Sequence, residues 1–285
     1  MTDFTWLSAP IDARALFAPE RAALLATLRP LPYADWDRPA VPGWSVRDVA
    51  AHVLGDDYGR LARDRDGDDA GPAPLPGEPL ETFIHRANQE WVDAARRISP
   101  RALVDTLEMT GRGVAALWRA GAPDEPGLAV SWAGADPAPR WLDCARDLTE
   151  YWTHRQQIRH ATGQPTDADP RLLGPVLDTF LRALPHTLRE VDAAPGTRAR
   201  FVVRGPAGGA WTASALERGW ALTTAGHELP GAAEPAAVLT LDPETAWLLC
   251  TRGITPDAAL GRPETQAEGD PLLLATMSRI VSIIR

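Results

Sequence analysis

Apolar residues recur at helical spacing from Pro10 to Leu28, with Leu16, Ala23, Leu24 and Leu28 on the repeat, which predicts a first helix. The stretch PGWSVRDVAAHVLGDDYGRLARDRDG predicts a second. Ser45 is a good N-cap for it, Asp48 stands where a capping box takes its acid, and Asp66 and Gly67 end it. DGDDAGPAPLPGEP is a loop by composition. A third helix is expected from about Leu80 to Ile98, and Ser99 with Pro100 opens a fourth that Gly121 closes. After the Pro- and Gly-rich EPGLAVSWAGADPAPR, a long helix runs from about Trp141 to Ala161, with Gly163 as its C-cap.

The second half changes period. FVVRG, AWTASALE, WALTTAGH and AAVLTLDPE are short runs rich in β-branched and aromatic residues, divided by turns. Asp242 caps a helix in PETAWLLCTR, TQAEGD is a short strand or turn, and Pro271 opens a last helix through LLLATMSRIVSII. Helices first and strands later predict an α+β protein with a helical bundle over 1–168 and a small α+β domain over 169–285. The boundary is expected between Gly163 and Thr197.

Composition narrows the partners. A net charge of −9 argues against nucleic acid, whose phosphates need a basic surface. It leaves room for a small anionic substrate held by one or two local arginines. Cys144 and Cys250 are the only cysteines and no CxxC occurs, so neither a disulfide framework nor a thiolate zinc site is expected. No basic stretch precedes an apolar run at the start, and no run approaches ~18 apolar residues. A cytoplasmic protein without a membrane partner is the expectation. Abundant Ala, Arg and Pro suit a GC-rich, actinobacterial genome.

Within EYWTHRQQIRHATG, Glu150 and His154 stand four residues apart on one face of the long helix. Both can reach a single ion there. Two ligands seldom hold a catalytic divalent metal, and His52 on the second helix is the best third. Periodicity alone favours a different reading. Cys144, Leu148, Tyr151 and Trp152 make the apolar stripe, while Asp143 and Asp147 share the side of Glu150 and His154, as on a solvated face. Asp56, one turn after His52, reads either as an acceptor orienting that ring or as a surface acid.

Two segments bear a resemblance. GWSVRDVAAHVLGDD, which contains His52, and RDLTEYWTHRQQIRHATGQP, with Glu and His four apart before Ile-Arg, resemble the signatures of the mycothiol-dependent maleylpyruvate isomerase family. LTLDPETAWLLCTRG and EGDPLLLATMSRIVSII are more loosely similar to that family's smaller domain. The resemblance implies a DinB-like four-helix bundle followed by a sterol-carrier-like domain. It implies a zinc triad of His52, Glu150 and His154, and mycothiol as thiol cosubstrate. The implied chemistry is attack by a metal-held thiolate on a small electrophile, giving isomerisation or S-transfer.

Isomerase-type members act on dicarboxylates, so an arginine clamp is expected, with Arg86 the first candidate and Arg252 the second. Each also reads as an ordinary surface or helix-terminal charge. Arg159 reads as structural, and His85, His160, His186 and His227 as incidental. The C-terminal domain is expected to wall a cleft beside the metal. Two other readings stay open. One is a non-catalytic small-molecule or lipid carrier with a structural or vestigial metal. The other is a non-haem iron enzyme, since two histidines and a carboxylate also suit Fe(II). Substrate, metal, oligomeric state and the choice between isomerase and S-transferase are not legible in these residues.

Overall fold

The computed structural model describes residues 3–224 and 233–283. His227 and the end of the run WALTTAGH lie outside the described residues. The fold is α+β. Its residues group into two units: one of Ala13–Ala122 with Asp147–Asp167, the other of Pro123–Arg146 and Ala168–Ile283 with the chain up to Asp12. The grouping follows packing rather than chain order. Two stretches that precede residue 168 sit with the strands.

The first unit is helical. It contains α1 (Phe17–Leu28), α2 (Val46–Arg60), α3 (Leu80–Ala95), α4 (Pro100–Ala120) and most of α5 (Arg140–Ala161). An antiparallel ribbon of β1 (Pro39–Val41) and β2 (Trp44–Ser45) leads into α2. The Ser45 side chain accepts from the Asp48 N–H, and the Asp48 carboxylate accepts from the Ser45 N–H, so the expected capping box is complete. This cap sets the phase of α2, and hence the direction of His52 about two turns later.

Several helix ends differ from the periodic reading, each for a local reason. The first helix starts at Phe17, not Pro10, after a 3-10 turn at Arg14–Leu16. Pro19 then falls in the first turn, where its missing N–H costs nothing. Beyond Arg60 the second helix widens to π-type bonding over Leu61–Asp66 and stops at Gly67 in the left-handed region, φ 67°. The third helix ends at Ala95, because Arg47 Nη2 donates at 2.6 Å to the carbonyls of both Arg96 and Ile98.

The bundle core is apolar at α2 (Val46, Val49, Val53, Leu54), α4 (Leu103, Leu107, Val114) and α5 (Leu148, Trp152, Ile158). It is also threaded by buried ion pairs. Arg21 Nη2 of α1 donates to Asp57 Oδ1 of α2 at 2.6 Å, and Thr110 of α4 donates to the other oxygen of that carboxylate at 2.5 Å. Arg60 donates to Asp147 Oδ1 at 3.0 Å, while Trp118 Nε1 donates to Oδ2 at 2.9 Å. Arg155 forks onto Glu20 at 2.5 and 2.8 Å, both side chains only 1% exposed. The charged side of α5 is therefore not a solvated face. Asp143, Asp147 and Arg155 are all buried.

The second unit is built on a five-stranded sheet ordered β5-β4-β3-β6-β7: β3 (Arg198–Val203), β4 (Gly209–Ala215), β5 (Trp220–Thr224), β6 (Ala237–Leu241) and β7 (Gln266–Gly269). β3 and β6 pair in parallel; the other neighbours are antiparallel. Alternation buries Ala199, Phe201 and Val203 from β3, and Ala237, Leu239 and Leu241 from β6. The unit's helices are α6 (Pro170–Leu181), α7 (Leu184–Thr187), α8 (Pro243–Cys250), α9 (Pro256–Leu260) and α10 (Pro271–Met277). α6 lies in the stretch between Gly163 and Thr197 where the boundary is expected, and Gly174 and Pro175 interrupt its helical pattern. Asp169 caps it and Pro170 opens it, which are ordinary start signals. The last helix stops at Met277, not Ile284. Past it the chain is drawn out to let Ser282 donate from its amide to the Cys250 carbonyl at 2.9 Å and from its hydroxyl to Phe180 O at 2.7 Å. Among the described residues, no helix is long and apolar enough to cross a membrane.

Candidate metal centre

α2 and α5 bring His52 and His154 together inside the helical unit, while Glu150 stands beside His154 but outside the group of mutually close ligand atoms that His52, Asp56 and His154 form. The rings of His52 and His154 meet edge to face with centroids 4.7 Å apart. The Trp44 ring lies 5.1 Å from that of His52. On α5, His154 Nε2 is 3.6 Å from Glu150 Oε2, an ion-pair distance rather than a hydrogen bond. On α2, His52 Nε2 is 3.4 Å from Asp56 Oδ2. One nitrogen from each ring and one Asp56 oxygen all lie within 4.8 Å of one another. Asp56 is thus the carboxylate that sequence reasoning undervalued. The available signal was its spacing: His52 and Asp56 are four apart on α2, as Glu150 and His154 are on α5.

The second nitrogen of His154 is already committed. Its Nδ1 is 2.8 Å from Gln157 Oε1, an acceptor, so Nδ1 carries the proton. In the neutral ring Nε2 then keeps its lone pair; it is buried and has no hydrogen-bond partner. A buried acceptor of that kind calls for a donor or a cation. Burial, and then the neighbouring His154, push His52 down to about 3, against a smaller opposing pull from Glu150. His52 is therefore neutral at physiological pH. Burial also presses His154 downward, but Glu150, Asp56 and Gln157 together lift it above its ordinary value. Each histidine feels the carboxylate of the other helix. Two imidazoles and nearby carboxylates suit a divalent first-row ion, so the donor set fits the metal that the sequence suggested.

Other candidates have different occupations. Arg86 on α3 forks onto Glu78 at 2.9 and 2.8 Å and donates to the Ala73 carbonyl, which ties the loop before α3 to that helix. Glu78 is drawn down to about 2 by this pair and by the Leu75 N–H. Arg252 follows α8 in the left-handed region at φ 56° and is exposed. Arg159 donates to Pro165 O and Gln164 Oε1 and so closes the end of α5. His85 is exposed, and exposed His160 meets Thr166 Oγ1 at 2.7 Å. The His186 ring lies against Gly134, at φ 72°, where an added Cβ would come within 2.6 Å of Nδ1.

Both cysteines are buried, and burial pushes Cys250 up to about 12. Neither thiol is a ready nucleophile. The expected result is that a thiol-specific chromogenic disulfide titrates almost no thiol in native protein and two per chain in denaturant. Rapid native labelling of either cysteine would refute this.

A helical bundle holding a partly buried histidine–carboxylate cluster, with a small α+β unit beside it in the chain, defines a class of bundle proteins with a candidate metal centre. The chain belongs to the mycothiol maleylpyruvate isomerase family: the model for its N-terminal domain matches residues 17–159, a span that includes His52, Asp56, Glu150 and His154. Among solved structures, a histidine-to-alanine variant of mycothiol-dependent maleylpyruvate isomerase is similar at 14% identity and TM-score 0.50, covering 94% of this chain and 96% of that one. A second structure of mycothiol-dependent maleylpyruvate isomerase is similar at 14% identity and TM-score 0.48, with the same coverage. At such identity the first likeness is one of fold. No curated protein matches the chain in sequence.

Proposed function

We propose that this protein is a metal-dependent, thiol-using cytoplasmic enzyme, a mycothiol-dependent isomerase or S-transferase acting on a small electrophile that bears carboxylates in the isomerase case. The observation that supports it most is the meeting of His52 and His154, with an orphaned buried nitrogen, within the span that carries the family match. His52, Glu150 and His154 would hold a divalent cation, zinc being the first choice. When bound, that ion would favour the thiolate form of a thiol at neutral pH.

The chain's own residues do the rest. Gln157 keeps the His154 proton on Nδ1 and so aims Nε2. Burial keeps His52 neutral and available as a donor. The buried Cys144 and Cys250 leave the nucleophilic thiol to a cosubstrate. Arg86 and Arg252 are the candidates for a substrate carboxylate, and Arg86 would have to exchange Glu78 for it.

Turnover of cis-unsaturated dicarboxylates and of simple alkylating electrophiles is the direct test, with mycothiol present or omitted. Thiol-dependent turnover that a chelator abolishes is expected. Protein that binds zinc yet turns over none of these with any thiol would point instead to a carrier with a vestigial metal. Gln157→Leu is expected to fold normally but to bind zinc about 10–100-fold more weakly, the usual effect of losing an outer-shell partner. Chelator competition measures it, and unchanged affinity would remove Gln157 from the site.

A further inference from the structure

We propose that Asp56 is itself a metal ligand, so that the centre has two histidines and two carboxylates. This rests on the reading above that the site holds a divalent metal. The carrying observation is the matched construction of the two helices. α2 offers His52 and Asp56, α5 offers Glu150 and His154, each a histidine and a carboxylate four residues apart, at 3.4 and 3.6 Å. The group of mutually close ligand atoms among the described residues contains Asp56 with both histidines. That oxygen lies within 4.8 Å of a nitrogen of each ring.

The alternative role, an outer acceptor that orients His52, requires Asp56 to stand on the far side of that ring from His154. The convergence within 4.8 Å argues against it. Two carboxylates would neutralise a divalent ion, whereas one leaves a net positive charge. Added oxygen donors also widen the range of metals accepted, toward manganese and iron as well as zinc. Asp56 is partly exposed, with its side chain at 30%, so replacing it should leave the bundle folded.

The experiment uses full-length apo-protein: wild type, Asp56→Asn, Asp56→Ala, Glu150→Gln and His154→Ala. Zinc affinity is read by chelator competition, and ligand number by the visible spectrum of the cobalt(II) form. Circular dichroism checks folding. The expected result is that both Asp56 variants bind zinc at least tenfold more weakly and change the cobalt spectrum, as Glu150→Gln does. Wild-type affinity and spectrum in the Asp56 variants, with loss only in His154→Ala, would overturn the proposal and leave the metal reading intact. Weaker binding with an unchanged cobalt spectrum would make Asp56 a positioning residue and also overturn it. Wild type that binds neither zinc nor cobalt would fail the metal reading itself.

Discussion

His154→Ala is expected to lose zinc affinity by more than a hundredfold, and His52→Ala to do the same. Loss of an outer-shell partner alone weakens a metal site by about 10–100-fold. An inner donor should exceed that. The effect should be large because each nitrogen stands where replacement is hard. His154 Nε2 is buried and without a hydrogen-bond partner, and His52 is among the buried polar residues. Removing His154 also frees Gln157 from its contact at 2.8 Å and leaves Glu150 without its histidine neighbour. The measurement is metal content by elemental mass spectrometry on untagged protein, beside the chelator titration. About one zinc per chain in wild type and almost none in either variant is expected. Full zinc content in both variants would place the metal elsewhere in the chain.

Arg155→Leu is expected to destabilise the helical unit by about 3–5 kcal/mol, the usual cost of breaking a buried pair from one side. Glu20 is the reason. Its carboxylate is 1% exposed and both oxygens accept from Arg155, so removing the guanidinium strands a buried charge. Arg155 also donates to Asp167 at 2.7 Å, linking α5 to the segment that follows it. Because Asp167 keeps 31% of its side chain exposed, water can take over that contact. A lower midpoint of urea unfolding, followed by far-ultraviolet circular dichroism, is the readout. Removing both charges with Glu20→Leu and Arg155→Met should restore most of the loss, since an apolar pair of similar volume is often as stable as a buried ion pair. If the single variant unfolds at the wild-type midpoint, the pair does not hold the bundle together.

The face of α5 shows why periodicity misleads in this protein. A stretch carrying Asp143, Asp147, Glu150, His154 and Arg155 reads as solvated, because charged side chains are seldom buried unless paired. Here the pairs exist. Their partners sit far off in the chain: Arg60 for Asp147, Glu20 for Arg155. No local pattern can reveal a partner 87 or 135 residues away. α6 stayed hidden for a simpler reason. Gly174 and Pro175 are breakers by propensity, yet a helix whose apolar side is buried by Leu173, Val176, Leu177 and Phe180 tolerates them.

By itself the sequence determined the α+β class, the helix starts that carry caps, and the two segments from which the candidate metal ligands come. Those are local facts, written in caps, turns and short spacings. The alternation of the strands is equally local, and so is the burial of one face of β3 and β6. Only the tertiary structure decided that His52 and His154 meet, that Asp56 joins them, and that Arg86 is held by Glu78. Each of those depends on how the chain folds back on itself. A distance between helices is set by packing, and packing is a property of the whole core.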